Sequence, residues 1–108
     1  MSGLERIKKQ VTDNPVIIYM KGSPDMPMCG FSSKAVEALK QCGKEFAYVN
    51  VILDQDIMQD LPKFANWPTF PQLYIKGEFV GGCDIVKEMF DSGELLELFN
   101  TKGIDVKV

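Results

Sequence analysis

An unbroken apolar run from Val16 to Met20 sets the architecture that this 108-residue chain can adopt. The run is rich in β-branched residues, which is typical of a central strand buried on both faces of a sheet. A helical pattern precedes it from about Gly3 to Thr12, and a second helical pattern follows, with an apolar stripe that begins at Phe31. Because this second helix leads to another strand, Phe46 to Val51, we expect the two strands to be parallel, with a right-handed crossover.

The second half of the chain predicts a third helix, an antiparallel hairpin and two closing helices. Asp54 is the expected N-cap of the third helix, and Pro62 should kink or end that helix. Lys76-Gly77 marks the turn of the hairpin, and Asp84 is expected to cap the helix that comes after it. The resulting order, α-β-α-β-α-β-β-α-α, predicts an α/β, thioredoxin-like fold with a four-stranded mixed sheet flanked by about five helices.

Composition and charge exclude several classes of function. The net charge of −3 comes with no block of Lys or Arg, which argues against nucleic acid or an anionic membrane surface as the main partner. No apolar run approaches the roughly 20 residues that span a bilayer, and the first residues lack the apolar core of a signal peptide. We therefore expect a cytoplasmic protein in which residues 1–108 form a single domain, with a loose tail from about residue 103.

The chain has three cysteines, Cys29, Cys42 and Cys83, and no histidine. An odd, low cysteine count without a signal peptide fits a reducing compartment, where thiols serve as ligands or redox groups. The lack of histidine excludes Cys–His catalysis, the Ser–His–Asp triad and His-ligated metal sites. Cys42 lies on the apolar stripe of the second helix, just before the expected C-cap Gly43, and we interpret it, like Cys83, as structural.

Cys29 is placed between a loop and the start of a helix. The loop contains Gly22, Pro24 and Pro27, and the helical pattern begins directly after the cysteine. Exposed N–H groups and the macrodipole at a helix N-terminus favour negative charge, so this position should lower the pKa of the thiol below about 8.5. A free cysteine is often only a small buried side chain, but this setting favours a reactive thiolate.

Ser32 stands where a Cys-x-x-Cys motif would carry its second thiol. A hydroxyl cannot resolve a mixed disulfide by intramolecular attack, so a two-thiol cycle within this motif is excluded. One thiolate per chain remains, at Cys29. Spacing alone leaves open whether Cys42 or Cys83 pairs with it on oxidation.

Three separated motifs resemble those of the monothiol glutaredoxins, and look most similar to the short, single-domain bacterial forms. The first is Lys21-Gly22-Ser23-Pro24, followed by Cys29-Gly30-Phe31-Ser32. The second and third are Trp67-Pro68-Thr69-Phe70-Pro71-Gln72-Leu73-Tyr74 and Gly81-Gly82-Cys83-Asp84. The resemblance extends from about Leu4 to Asn100, and three motifs in order are far more specific than a lone short pattern.

This resemblance implies a protein that binds glutathione and, as a homodimer, a bridging 2Fe–2S cluster. Such a cluster usually takes four thiolates, and in this family each subunit supplies its motif cysteine while two glutathione sulfurs complete the set. Ligands that are not covalently fixed make the cluster exchangeable, which suits delivery to apo-proteins. A BolA-like protein is a further partner implied by the resemblance alone.

The resemblance also implies the roles of individual residues. A lysine pairs with a glutathione carboxylate, the backbone before a cis-Pro71 binds the tripeptide as a strand would, and the third motif holds its γ-glutamyl end. Cys29 would be both the catalytic residue and the metal ligand. The residues implied to bind glutathione are Lys21, Thr69, Phe70, Cys83 and Asp84.

One rival function stays open, a glutathione-dependent monothiol oxidoreductase that removes glutathione from mixed disulfides through Cys29. It needs the same thiolate and the same ligand as the cluster carrier. By analogy with the family, the loop from Ser23 to Met28 is longer than in dithiol relatives and slows attack on glutathione, so little or no activity is expected in a standard disulfide-reduction assay. The client apo-proteins are not encoded in any motif.

One position departs from the family pattern. Many relatives carry an arginine on the third helix that contacts the glycine carboxylate of glutathione, and this chain has Met58 there. Lys63 lies further along the helix and is a candidate substitute, although an ammonium is a point charge and not a bidentate fork. The hypothesis is that glutathione binds more weakly than in a relative that has the arginine.

Overall fold

A four-stranded sheet lies at the centre of the protein, whose computed structural model describes residues 3–41 and 46–103. The helices in these residues are α1 (Gly3–Asp13), α2 (Gly30–Gln41), α3 (Gln55–Ala65), α4 (Cys83–Ser92) and α5 (Glu94–Thr101). The strands are β1 (Val16–Met20), β2 (Ala47–Asn50), β3 (Gln72–Ile75) and β4 (Glu78–Gly81), and a 3-10 turn follows β2 at Val51–Leu53. The strands are ordered β2-β1-β3-β4 across the sheet.

The predicted central position of β1 is confirmed. All of its residues are buried, and Ile17 lies between Ala47 of the parallel strand β2 and Tyr74 of the antiparallel strand β3. β3 and β4 form the predicted antiparallel hairpin, with Lys76 and Gly77 both at positive φ (53° and 81°), as a two-residue turn of this kind requires. The sheet is therefore mixed, and the expected fold class is confirmed.

Successive residues of β1 supply two separate apolar cores, because side chains alternate between the faces of a strand. Ile18 packs with α2, α4 and α5 on one face, and Ile17 packs with α1 and α3 on the other. This arrangement leaves one end of the sheet, where β1 finishes at Met20, free to carry the loop that leads into α2. Within the described residues, none of the helices has the length and apolar character needed to cross a bilayer.

The second strand is shorter than the sequence indicated. We expected Phe46 to Val51, but β2 ends at Asn50 and the chain turns into the 3-10 segment. The side chain of Asn50 explains the change, since its Oδ1 accepts the N–H of Ile52 (3.1 Å) and that of Gly22 (3.0 Å). The strand therefore stops where this amide ties it to the loop after β1.

Pro62, which was expected to kink or end α3, does not end it. The helix begins after Asp54, whose side chain caps it as predicted by accepting the N–H of Ile57 (3.3 Å), and continues to Ala65. Proline removes only one intrahelical hydrogen bond near the end of the helix. The carbonyl oxygen of Pro62 accepts two hydrogen bonds that close the end of the helix. One comes from the N–H of Asn66, the left-handed C-cap, and the other from the N–H of Trp67.

Two further expectations need correction at the start of helices. Asp84 does not cap α4, because Gly82 is the N-cap and Asp84 lies within the first turn. Phe31 does not belong to the apolar stripe of α2, because it is only the second residue of that helix and is 58% exposed. The predictions for Cys42, Gly43 and the tail beyond residue 103 lie outside the described residues.

Candidate functional site

A cavity of about 910 Å³ opens at the end of the sheet, where the loop after β1 meets the starts of α2 and α4. It brings together every site residue that the sequence analysis singled out, from three separate parts of the chain. Those residues are Lys21, Cys29, Thr69, Phe70, Cys83 and Asp84. The rest of the lining is Phe31, Met58, Pro62, Trp67, Pro68, Gly82 and Ile85.

Cys29 is partly exposed and directly precedes the first residue of α2. Hydrogen bonds from the backbone N–H groups of Ser32 and Phe31 hold the pKa of its thiol below the ordinary value, with a smaller contribution from the charge of Lys21. Partial desolvation acts in the opposite direction. The lowered pKa expected at a helix start is thus confirmed, and it has mainly a local, hydrogen-bonding cause.

Ser32 is fully buried under the cavity. Its hydroxyl oxygen accepts the backbone N–H of Lys21 (3.2 Å), which fixes the end of β1 to the first turn of α2. The serine therefore has a structural role that holds Lys21 and Cys29 next to each other. It presents no group to the cavity that could react with a sulfur bound to Cys29.

The loop from Gly22 to Met28 is a small closed hairpin. Gly22 pairs with Pro27 as an antiparallel bridge, and the N–H of Met28 donates to the carbonyl of Lys21 (2.9 Å). Ser23 and Met26 exchange backbone hydrogen bonds of 3.2 and 3.1 Å. Only glycine fits at position 22, since its φ is +94° and a Cβ there would lie 2.5 Å from the carbonyl oxygen of Met26.

The third motif brings a second thiol and a carboxylate to the opposite wall of the cavity. Cys83 is buried, and burial, followed by the charge of Asp84, raises the pKa of its thiol above the ordinary value. Asp84 is exposed. Gly82 lets this wall approach the indole of Trp67, because a Cβ at Gly82 would lie 3.2 Å from Trp67 Nε1 and 3.3 Å from the Pro71 carbonyl oxygen.

The segment before β3 is held by a residue whose role the sequence did not reveal. The Gln72 side chain is fully buried, and its Nε2 donates to the carbonyl oxygens of Trp67 (3.0 Å) and Thr69 (3.2 Å). Its Oε1 accepts the hydroxyl of Tyr74 (3.0 Å). The sequence signal for this role was the position of Gln72 at the start of an otherwise largely apolar strand. The peptide bond between Phe70 and Pro71 is cis, as the resemblance implied.

The cavity has one positive and one negative side chain among its described lining residues, Lys21 and Asp84. The remaining walls are largely apolar, and Met58 contributes to one of them. Lys63 is exposed and is not among the lining residues, so it does not replace the missing arginine at this wall.

Two apolar lining residues were not singled out from the sequence, Ile85 and Trp67. Ile85 of α4 is 36% exposed and lies on the cavity wall. Trp67 also lines the cavity, and its indole nitrogen is buried without a hydrogen-bond partner in the described part of the chain. Periodicity alone cannot separate a residue that faces the core from one that faces a cavity beside it.

Residues 3–41 and 46–103 contain no group of three or more acidic, cysteine or histidine side chains that could hold a metal ion. Within the cavity, the only thiol with a lowered pKa in these residues is that of Cys29. Among the described residues, the donor set of the cavity therefore offers one accessible thiol of lowered pKa, that of Cys29.

Comparisons with known proteins agree with this geometry. The family profile described as Glutaredoxin matches residues 16–80. Glutaredoxin 4 of Escherichia coli K12 is 58% identical over 104 residues, which cover 96% of this chain and 90% of that protein. Glutaredoxin 4 from the Buchnera of Schizaphis graminum is 50% identical over 107 residues, covering 99% of this chain and 100% of that protein.

A solved structure shows the same fold. The solution structure of a monomeric truncated mutant of Trypanosoma brucei 1-C-Grx1 has a TM-score of 0.89 at 34% identity and covers 100% of this chain and 97% of its own.

Proposed function

This chain belongs to the glutaredoxin family, in the form with a single thiol in its motif, and from that premise we propose that it binds glutathione and carries a 2Fe–2S cluster between two copies of itself. The cluster is cargo, received and then passed to apo-proteins. The observation that carries the proposal is the partly exposed thiol of Cys29, the one thiol of lowered pKa among the described residues that line the cavity.

The number of available thiolates supports a shared cluster. Cys29 offers one sulfur ligand, Ser32 is buried and occupied, and the pKa of the Cys83 thiol is raised. Because a 2Fe–2S cluster usually takes four thiolates, two chains would contribute two, and the sulfurs of two bound glutathiones would supply the others. A thiolate is the form that binds iron, so the lowered pKa of Cys29 favours coordination at neutral pH.

The charges and backbone groups of the cavity suit glutathione. The ammonium of Lys21 would pair with one of its carboxylates, and Asp84 would pair with its α-ammonium at the start of α4. The backbone around Thr69 and Phe70, held in place by Gln72, would bind the tripeptide as an added strand. With both ends fixed, the glutathione sulfur would lie beside Cys29, and Cys83 would pack against the γ-glutamyl end.

Anaerobic reconstitution with iron and sulfide tests the proposal. The native chain should gain visible absorption and double its mass only when glutathione is present, and Cys29→Ser should do neither. Cys83→Ser is the matched control, which we expect to retain the cluster because its thiol is not a ligand. Cluster uptake by Cys29→Ser equal to that of the native chain would refute the proposal.

A second candidate function rests on the same thiolate. The Cys29 sulfur would attack the glutathione sulfur of a mixed disulfide, release the client thiol and become glutathionylated. A second glutathione would then form oxidised glutathione and regenerate Cys29. The lowered pKa favours this attack, but fast turnover by a colourless monomer would be required to make it the main activity. A BolA-like partner is compatible with the carrier and is part of the same proposal.

A further inference from the structure

A second depression, separate from the thiol cavity, runs between α2 and α4. It has a volume of about 350 Å³, and we call it the α2/α4 groove. The residues that matter for its chemistry are Lys34, Glu37, Ala38, Lys87, Phe90 and Asp91. Both helices begin at the thiol cavity, α2 directly after Cys29 and α4 at Cys83, so the groove leads away from the reactive thiol.

The positive charges of the groove lie nearer to the thiol cavity than its negative charges do. Lys34 and Lys87 are each the fifth residue of their helix, so both lie nearer to the thiol cavity than Glu37 and Asp91 do. The charges of both lysines act on the Cys83 thiol, which agrees with this order. Glu37 and Asp91 lie about one helical turn further from the cavity.

These charges are accessible, and at least one lacks a partner. The side chains of Lys87 and Asp91 form an ion pair of 3.3 Å but are 56% and 59% exposed, so the pair is weakly held in water. Lys34 has no ion-pair partner among the described residues, and Glu37 accepts only the amide of Gln41 (3.1 Å). The positive end also receives the partial positive charge of two helix N-termini.

The floor of the groove is apolar. Ala38 is 4% exposed, and Phe90 is partly buried against the core under α2 and α4. An extended peptide that enters from the thiol cavity would therefore meet two ammonium groups, then an apolar floor, then two carboxylates. That sequence of surfaces is complementary to an acidic, then an apolar, then a basic side chain.

We propose that the α2/α4 groove docks a segment of a client protein in which an acidic residue follows the cysteine whose disulfide is presented to Cys29, with a basic residue beyond it. Lys34 lies five residues along the helix from Cys29, about 7–8 Å, which an extended peptide spans in about two residues. The acidic side chain therefore belongs two positions after the client cysteine. The proposal depends on Cys29 as the reactive thiol and does not require a cluster.

Two peptides of identical composition test the proposal. Acetyl-Cys-Ser-Glu-Leu-Lys-amide matches the groove, and acetyl-Cys-Ser-Lys-Leu-Glu-amide has its charges exchanged. Each is prepared as a mixed disulfide with thionitrobenzoate. The Cys29 thiolate attacks the peptide sulfur, forms a disulfide with it and releases the coloured thionitrobenzoate anion, whose appearance gives the rate constant. Cys29→Ser serves as the blank.

With the native chain at low salt, the matching peptide should react about fivefold faster than the exchanged one, and the difference should shrink as salt rises. The ratio should fall below one in Lys34→Glu/Lys87→Glu. The ratio cancels any change in the reactivity of Cys29 itself. Lys8→Glu/Lys9→Glu is the control, because α1 packs on the opposite face of the sheet and the change in net charge is the same.

Equal rates for the two peptides with the native chain would overturn the proposal, as would a control variant that loses the preference as fully as the groove variant. A second measurement examines docking without chemistry. A matching peptide with serine in place of cysteine should shift the amide resonances of Ala38 and Phe90 in the native chain. Shifts confined to the thiol cavity would also overturn the proposal. Neither the rate ratio nor the resonance shifts depend on cluster binding. Failure of the docking proposal is therefore distinguishable from failure of the carrier function.

Discussion

At the scale of single residues, the reactivity of Cys29 is determined by the groups that face its sulfur. The backbone N–H groups of Ser32 and Phe31 stabilise the thiolate, and Lys21 adds charge. Cys83 borders the same cavity, yet burial and the neighbouring Asp84 raise its pKa. The pKa values of these two thiols are thus shifted in opposite directions, and the surroundings favour the thiolate at Cys29 alone of the two.

The first prediction concerns the pH dependence of Cys29 alkylation by iodoacetamide. Only the thiolate reacts, so the rate should reach half of its maximum at a lower pH in the folded chain than in the chain unfolded by guanidinium chloride. Lys21→Met should move the folded midpoint upward, because one of the groups that lower the pKa is lost. The measurement is the rate against pH by mass spectrometry of the Cys29 peptide.

Lys40→Met is the control for this experiment. Its ammonium interacts with the Pro24 carbonyl (3.1 Å) and with Asp25 and is not among the groups that act on the Cys29 thiol. A midpoint that is the same in the folded and unfolded chains would contradict the assigned environment of the sulfur.

The second prediction concerns Met58, which presents a neutral side chain to the cavity. Glutathione has two carboxylates, and Lys21 is the only cation among the described lining residues. Met58→Arg should therefore tighten glutathione binding, by about tenfold for one charge-assisted contact. Calorimetric titration gives the affinities, and Met58→Gln is the neutral control of similar length. Equal affinities for the native chain and Met58→Arg would remove the idea.

At the scale of elements, Asp54 links two helices. Its carboxylate caps α3 through the N–H of Ile57, and it pairs with Arg6 of α1, with Nη1 of the arginine 3.1 Å from Oδ1. The Arg6 guanidinium, followed by the N–H of Ile57, holds the pKa of Asp54 below its ordinary value against the effect of desolvation. One short side chain thus fixes where α3 begins and how α1 lies against it.

The third prediction follows from this link. Asp54→Ala should lower the free energy of unfolding by about 1 kcal/mol through loss of the cap. Asp54→Asn retains a capping oxygen and should lose less at pH 7. Because the folded pKa is below the unfolded value of about 3.9, the contribution of the carboxylate is present above that pH and disappears as the pH falls through the folded pKa.

Urea unfolding at pH 7 and pH 3 measures both effects. The native chain should lose more stability between these two values than Asp54→Asn does, since the asparagine does not titrate. Identical losses in the two proteins would show that Asp54 does not contribute through its charge.

The same scale shows what sequence patterns can and cannot predict. The buried strand β1, the hairpin at Lys76-Gly77 and the cap at Asp54 were correct because each follows from local chemistry. The helix α3 was not ended by Pro62, because the cost of a proline depends on how near it lies to the end of the helix. Phe31 was misread because periodicity assigns a face of a helix but does not say whether the first turn of that face is covered by other elements.

In the candidate site, too, the residues in sequence motifs were predicted and the features that depend on tertiary packing were missed. Its six predicted residues came from motifs and do line one cavity. Gln72 was missed, because its two hydrogen bonds to the carbonyls of Trp67 and Thr69 exist only after the preceding segment folds back on β3. The α2/α4 groove was missed for a similar reason, since Lys34 and Lys87 are far apart in sequence and meet only when the two helices pack.

At the scale of the whole molecule, the sheet separates two apolar cores. Leu39 of α2 belongs to one and Leu61 of α3 to the other, and both are fully buried. The strand β1 supplies side chains to both cores, so neither can lose its packing without disturbing the other. This coupling favours the prediction, made from the sequence, that residues 1–108 form a single domain.

The fourth prediction tests that expectation. Leu39→Ala and Leu61→Ala should each lower the free energy of unfolding by about 2–5 kcal/mol, and each should shift one common transition, seen equally by far-ultraviolet and near-ultraviolet circular dichroism. Leu53→Ala is the control, because Leu53 is 82% exposed and should change stability by less than about 0.5 kcal/mol. Two separate transitions in either core variant would contradict a single cooperative unit.

Trp67 is an intrinsic fluorescence probe of the thiol cavity. It is the sole tryptophan of the chain, and its ring lies on the cavity wall with the nitrogen enclosed and lacking an acceptor in the described residues. Any molecule that fills the cavity alters the polarity around this indole, so its emission reports occupancy directly, with no dye attached and no background from a second indole. Binding in the thiol cavity can therefore be followed by the fluorescence of Trp67 in the unlabelled native chain.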